Sequence, residues 1–153
     1  MEKVIEAIKA YYEKNEWNYE YDEEGHFFSS GINMGNILGN VKMYIYVEQA
    51  SYRVLLVLNS RVEEKYYNTV GEFLHRANFG LKNGNFEMDY NDGQIRYKTF
   101  VKFKDREISQ ETVEDSVMVG IAMIDRYGKG LLKLMLGEGT PQGCVEECER
   151  KEE

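Results

Sequence analysis

Apolar and polar positions alternate in blocks along the chain, and the period of that alternation predicts the elements. From Glu2 to about Glu16, Val4, Ile5, Ile8, Tyr11 and Tyr12 recur every three or four residues, an amphipathic helix with Trp17 packing its end onto the core. The period then drops to two. Residues 18–22 predict a short strand ended by Glu23-Glu24-Gly25, and residues 26–34 a second. A loop of turn formers follows, Gly35-Asn36-Ile37-Leu38-Gly39-Asn40. Residues 41–48 and 52–59 are the clearest strands, joined tightly around Gln49-Ala50-Ser51. Ser60 with Glu63 reads as an S-x-x-E capping box opening a helix whose stripe is Tyr66, Val70, Phe73, Leu74 and Ala77. Gly80 predicts that helix's end, in the left-handed conformation. Phe86, Met88 and Tyr90, then Ile95, Tyr97, Thr99, Val101 and Phe103, predict a hairpin turning at Asp92-Gly93. Ser109 caps a last helix with Glu111 in its first turn. Its apolar face is Val113, Val117, Ile121, Ile124, Leu131, Leu132 and Met135. Gly128 and Gly130 predict weakening or a kink, since each costs about 1 kcal/mol relative to alanine. Beyond Gly137 the pattern fades, and residues 137–153 read as a charged, mobile tail.

The elements run α-β-β-β-α-β-β-α. Tight connections make neighbouring strands antiparallel, because parallel pairs need a long crossover. The expected fold class is therefore α+β: an antiparallel sheet with helices packed on it, in one domain over residues 1–136. The two strands before the central helix carry a second signal. Val41, Met43, Ile45 and Val47 alternate with Lys42, Tyr44 and Tyr46, while Val54, Leu56 and Leu58 alternate with Arg53, Leu55 and Val57. Helices on one face leave Tyr44, Tyr46, Leu55 and Val57 on the other, as a candidate partner or dimer surface unless the last helix covers it.

Composition narrows the function. A chain of 153 residues is long enough to bury a core without disulfides or metals. The net charge of −8 argues against non-specific binding to nucleic acid or anionic lipid. No apolar run approaches the roughly 20 residues of a membrane span. The acidic, amphipathic start is not that of a signal peptide, so the cytoplasm is the expected compartment.

Asn78, Gly84 and Phe86 form an N-x5-G-x-F pattern where the central helix gives way to the hairpin, with Leu74 before it and Asp92-Gly93 after. In these residues, and in the preceding strand and Ser60, the chain resembles the YbjN-like family, described as bacterial sensory transduction regulators. The similarity covers roughly residues 20–136 and is specific over about 52–103. The resemblance implies a fold like that of type III secretion chaperones and a homodimer. It also implies a non-enzymatic regulatory role of binding a protein client, with no cofactor and no metal. Leu74, Asn78, Gly84, Phe86 and Gly93 enter as motif residues of structural role. The chain departs from the family in lacking a proline between Asn78 and Gly84, where it reads Phe79-Gly80-Leu81-Lys82-Asn83.

Chemistry-bearing residues are sparse. His26 and His75 have no serine, cysteine or acid at motif spacing, so a small enzyme stands only as an alternative that needs a pocket bringing one of them to an acid. Cys144 and Cys148 lack the second pair of a zinc site and read as oxidisable tail thiols. Gly31, Gly35 and Gly39 precede no G-K-[ST] and do not make a phosphate loop. Arg96, Lys98, Phe100 and Lys102 share one face of the strand over 94–104, with Lys104 beyond. They suit a nucleic-acid or anionic ligand, unless Glu87 and Asp89 on the preceding strand neutralise them.

Overall fold

The alternation along the strands resolves into one sheet with all its helices on one side. The computed structural model describes residues 1–151, so Glu152 and Glu153, the end of the expected tail, lie outside the described residues. The order is α1 (Glu2–Lys14), β1 (Glu20–Asp22), β2 (Phe27–Asn33), β3 (Asn40–Val47), β4 (Ser51–Leu58), α2 (Tyr67–Phe79), β5 (Asn85–Met88), β6 (Ile95–Lys102), α3 (Gln110–Met135) and α4 (Pro141–Glu149). The expected α-β-β-β-α-β-β-α order holds, with the short strand expected over 18–22 present as β1 ahead of the three longer ones and α4 added after. The six strands lie in the order β1-β2-β3-β4-β6-β5, and every neighbouring pair is antiparallel.

Register fixes which residues share a face. Ser30, Met43, Leu56, Tyr97 and Phe86 are successive cross-strand partners, and so are Tyr21, Phe28, Ile45, Val54 and Thr99. These inner rungs carry the core: Phe28, Met43, Ile45, Val54, Leu56, Tyr97 and Phe86 are all buried. The helices close over them. Tyr12 of α1 hydrogen-bonds Ser30 at 2.8 Å, and Ser116 of α3 meets the Tyr52 hydroxyl at 2.9 Å while donating to the Val113 carbonyl. Helix α3 comes so near the sheet that a Cβ on Gly120 would stand 2.6 Å from Leu56 Cδ1. That contact explains a glycine in the middle of a 26-residue helix. Trp17 packs edge-on against Tyr11 at 5.8 Å, as expected.

Four local expectations are corrected. Ser60 does not cap the central helix: a single 3-10 turn, Glu64–Tyr66, precedes α2, and Tyr67 opens α2 with no side-chain cap. Residues 60–63 are drawn to the hairpin instead, where the Val62 N–H donates to the Gly93 carbonyl (3.0 Å) and Arg61 pairs with Asp92 (2.8 Å). Gly80 ends α2 with a right-handed φ of −96°, and the left-handed residue comes later, at Gly84 (φ +76°). The hairpin turn is longer than Asp92-Gly93 alone. Residues 89–94 bridge the strands, closed by Asp89 N–H to Gln94 carbonyl (2.9 Å), which leaves Tyr90 outside the sheet. Helix α3 runs unbroken through Gly128 and Gly130, where a Cβ would meet Leu38 and Cys148, so these glycines serve close packing.

The patternless tail is a fifth correction. Thr140 accepts a hydrogen bond from Gly143 N–H, Pro141 begins α4, and Cys144 and Val145 are buried against α2 and α3. Lys133 pairs with Glu147 at 2.7 Å, and the Tyr127 hydroxyl donates to Glu149 at 2.7 Å. Cys144 and Cys148 thus belong to a packed helix; burial pushes the Cys148 thiol above its ordinary value, which disfavours the reactive thiolate.

Candidate functional site: the open face of the sheet

With α1, α2 and α3 on the inner rungs, the outer rungs face away from every helix. One runs Asp22–Phe27–Tyr46–Arg53–Phe100, the next Glu20–Ser29–Tyr44–Leu55–Lys98–Asn85, and the third Gly31–Lys42–Val57–Arg96–Glu87. The two surfaces singled out in the sequence, Tyr44/Tyr46/Leu55/Val57 and Arg96/Lys98/Phe100/Lys102, are therefore halves of a single face. Sequence reasoning kept them apart because the strand order β4-β6 is set by tertiary pairing, which no local period reports.

At the centre of the face the rings of Phe27 and Tyr46 stack at 5.2 Å, and those of Tyr44 and Tyr46 lie 6.3 Å apart. Tyr46 also receives the Arg53 guanidinium at 5.3 Å from its centroid. Leu55 and Val57 lie on this face, as their alternation implied, but are only 6% and 8% exposed. Their cross-strand neighbours are Tyr44 and Lys98, and Lys42 and Arg96. Long stems lying over an apolar floor, with charged heads in water, give this result. A shallow groove of about 230 Å³ remains above Tyr44, Tyr46, Leu55, Val57 and Arg96.

The charges are unevenly spread. Within the strands Lys42, Arg53, Arg96, Lys98 and Lys102 stand against Glu20, Asp22 and Glu87, a net of +2 on a chain of −8, and Glu48 of the β3–β4 turn pairs with Arg53 at 3.5 Å. Glu87 serves two cations at once: Arg96 Nε and Nη2 at 2.9 and 2.7 Å, and Lys98 Nζ. Partial burial pushes the Glu87 carboxyl up, but hydrogen bonds from Lys98 and Arg96, with their charges, hold it below its ordinary value. Cross-strand neutralisation was the expected counterweight to a basic strand. It is present, though one carboxylate against two cations leaves a positive surplus. Among the described residues Lys42, Lys102 and Glu20 form no ion pair. Phe100 lies 59% exposed beside the bases.

The motif residues lie on the other side of this strand pair and hold it in place. Asn78 brackets Phe86: its Nδ2 donates to the Phe86 carbonyl (2.9 Å) and its Oδ1 accepts from the Phe86 N–H (2.7 Å). The side-chain amide thus supplies both bonds a neighbouring strand would make, and fixes β5 to the end of α2. Gly84 is left-handed and a Cβ there would stand 2.7 Å from the Lys98 carbonyl; one on Gly93 (φ +76°) would stand 2.2 Å from the Val62 carbonyl. Leu74 is buried in the core beneath them.

The remaining candidates do not converge. His75 is exposed on α2, and His26, at the turn into β2 with φ +51°, meets the Tyr21 hydroxyl at 3.3 Å. Among the described residues no group of three or more His, Cys, Asp or Glu side chains is placed to hold a metal, and no helix is long and apolar enough to cross a membrane.

Comparison with known proteins agrees with this architecture. A family model, "YbjN: Putative bacterial sensory transduction regulator", matches residues 5–133. Among solved structures, the chain is similar to the "Crystal structure of YbjN, a putative transcription regulator from E. coli", with a TM-score of 0.59 at 9% identity, over 79% of this chain and 85% of that one. At that identity the likeness is one of fold. No curated protein sequence matches the chain.

Proposed function

The chain belongs to the YbjN family, and from that membership we propose that it is a non-enzymatic regulatory protein of the cytoplasm that acts by binding other protein through the outer face of its sheet. The observation that carries the reading is the one-sidedness of the fold. Helices α1, α2 and α3 pack on the inner rungs and α4 on α2 and α3, while the outer rungs keep an aromatic and aliphatic centre rimmed by bases. The occupant it fits is a polypeptide surface that sets acidic groups beside apolar ones, complementary to this basic face. A chaperone-like mode, in which a homodimer holds a client on this face, is the finer form of the proposal. It is supported by the apolar centre, which a purely electrostatic ligand does not need.

The test is a photo-crosslinking residue placed at Tyr44 and, as control, at the exposed Glu72 of α2. Protein adducts from position 44 that are absent from position 72, and that are lost when Arg96 is replaced by glutamate, are expected. Equal labelling from both positions, or none from position 44, overturns the reading.

One observation favours a second reading, a nucleic-acid or anionic-ligand binder. Phe100 is exposed among Arg96, Lys98 and Lys102, an aromatic platform beside bases. It requires binding that weakens steeply with salt. Failure to bind single-stranded nucleic acid at low salt removes it.

A further inference from the structure

We propose that the cleft between α3 and α4 binds a small anion carrying two phosphate groups, a diphosphate, gripped by Arg126 and Lys129 on one wall and by Arg150 and Lys151 on the other. The site is separate from the outer face of the sheet. Its second wall, α4 and the residues after it, lies beyond the residues 5–133 that the family model matches, so the family description does not bear on it.

The cleft opens beside a point of close packing. Gly130 of α3 lets α4 approach, since a Cβ there would stand 2.8 Å from Cys148 Sγ and 3.1 Å from the Cys144 carbonyl. Beside Gly130 and Cys148 lies a cavity of about 730 Å³. Asp125, Arg126 and Lys129 line it from α3, and Glu147, Arg150 and Lys151 from the α4 side. Arg126 and Lys129, three residues apart, share one face of their helix. Arg126 is held in place: its Nε donates to the Cys148 carbonyl at 3.4 Å, and its guanidinium lies 5.4 Å from the centre of the Tyr127 ring.

The acids of the lining are committed to other groups. Asp125 accepts from Asn36 Nδ2 at 2.7 Å, and Glu147 pairs at 2.7 Å with Lys133, which holds its carboxyl below the ordinary range. Glu149, one residue on from Cys148, takes the Tyr127 hydroxyl at 2.7 Å. Among the described residues Arg126, Lys129, Arg150 and Lys151 form no ion pair. Four cations thus gather in one concavity on a chain of −8, against two carboxylates already engaged. Hydrogen bonding to the carbonyls at the end of α4 accounts for Arg126 alone. Like charges so placed focus a field that draws an oligoanion. Each wall offers one guanidinium and one ammonium. A guanidinium grips phosphate by two parallel N–H bonds and an ammonium adds a point charge, so each wall takes one phosphate group. The lining holds no aromatic or aliphatic side chain, so it contacts the phosphates and not an apolar group attached to them. Bound across both walls, the ligand ties α4 to α3 and stabilises the native chain.

The test is isothermal titration of the full chain with pyrophosphate at low salt, beside orthophosphate and a nucleoside diphosphate. Wild type is expected to bind pyrophosphate about tenfold or more tightly than orthophosphate, and to lose affinity as salt is raised. A nucleoside diphosphate that binds better than pyrophosphate names a nucleotide as the source of the diphosphate; equal or weaker binding names the free anion. Lys129→Glu and Arg150→Glu reverse exposed charges, and each, once shown to be folded by circular dichroism, should weaken binding by about tenfold or more. Lys82→Glu makes the same change of net charge on the exposed loop before β5 and should weaken it by less than about twofold. Cys148 reports where the anion sits. It is half-buried beside the cleft while Cys144 is buried, so saturating pyrophosphate should slow its alkylation by iodoacetamide severalfold. No binding at millimolar pyrophosphate overturns the proposal. So does an affinity that Lys82→Glu lowers as much as Lys129→Glu, which marks attraction of anions to the chain at large, and so does binding that leaves Cys148 reacting at its free rate.

Discussion

Leu56 and Leu55 are consecutive residues of β4, both buried, and they are buried for different reasons. Leu56 points inward, where Met43 and Tyr97 flank it in the sheet and α3 descends to van der Waals contact at Gly120. Leu55 points outward, where no helix lies, and its cover is the Tyr44 ring and the Lys98 stem on either side. Two faces made from the same strands, one residue out of step, thus differ in what closes them. The inner face is closed by the fold. The outer face is closed only by its own long side chains, which can be displaced, and that is why the proposed partner is placed there.

The largest effect should appear on comparing these two leucines directly. Leu56→Ala leaves a cavity under α3 that close-packed neighbours cannot fill, and an expected loss of about 3 kcal/mol. Leu55→Ala removes a side chain from a floor that flexible stems collapse onto, and about 1 kcal/mol is expected. Urea unfolding at high dilution, where any self-association is absent, measures both. Equal losses would mean that the outer face is packed as rigidly as the inner one.

A second inner-side test concerns the bracket at the end of α2. Asn78→Ala strands the Phe86 N–H and carbonyl in a partly buried position, for an expected loss of about 1–3 kcal/mol. Asn78→Asp keeps the acceptor for the N–H but sets a carboxylate oxygen against the Phe86 carbonyl, two acceptors facing each other, so its loss should be at least as large at neutral pH. The same urea titrations decide the order, and an aspartate tolerated as well as asparagine would contradict the bracket.

How far the fold was legible follows the same division. Strand positions, both faces of β3 and β4, and the Ser109 cap (Thr112 N–H to Ser109 Oγ, 3.1 Å) were readable because a period of two and a capping serine are local signals. The Ser60-x-x-Glu63 box was just as local and did not form, because the Val62 N–H is taken by the Gly93 carbonyl 31 residues away. A tertiary bond outbid a capping preference. Helix α4 did carry a signal that pattern reading passed over: Thr140-Pro141, a capping residue followed by proline in the first turn, with Cys144 and Val145 as its short apolar face. The site was legible in halves. Tyr44, Tyr46, Leu55 and Val57 could be placed on one face, and Arg96, Lys98, Phe100 and Lys102 on another. That the two are one face depends on β4 pairing with β6 across α2 and β5. Asn78, Gly84 and Phe86 entered through family resemblance, and only geometry gives their reason.

A smaller effect, counted per residue, concerns buried phenols. Burial pushes the Tyr11, Tyr12, Tyr97 and Tyr127 hydroxyls up to about 12, from an ordinary value of 10.0. The unfolded chain therefore loses these protons first. Stability should hold up to about pH 10 and fall progressively between pH 10 and 12, where the native state binds more protons than the unfolded one. Circular dichroism melts across that window measure the fall. Tyr127→Phe should flatten it by up to one proton's worth, and an unchanged slope would mean that Tyr127 does not hold its proton in the fold.

The smallest expected change in stability is also the one that separates the faces most cleanly. Glu87 is partly buried, yet Lys98 and Arg96 keep its carboxyl below the ordinary range. A lowered folded value means that its contribution is fully present above the unfolded carboxylate value of 4.5 and is lost as the pH falls through the folded one. Glu87→Gln should then cost no more than about 1 kcal/mol at neutral pH, as solvent-accessible pairs do, and nothing at a pH acid enough to protonate the carboxylate. Its effect on association should be of another order. The substitution adds one positive charge to the outer face and frees both Arg96 and Lys98, so an acidic partner is held more tightly. Crosslinking from position 44 should show stronger capture with a steeper dependence on salt, in a protein whose unfolding curve has barely moved. Leu56→Ala should do the reverse, losing stability and leaving capture by the folded protein intact. If Glu87→Gln instead destabilised the fold as much as Leu56→Ala, the outer face would be a structural surface after all, and its charges would be holding β5 to β6 rather than waiting for a partner.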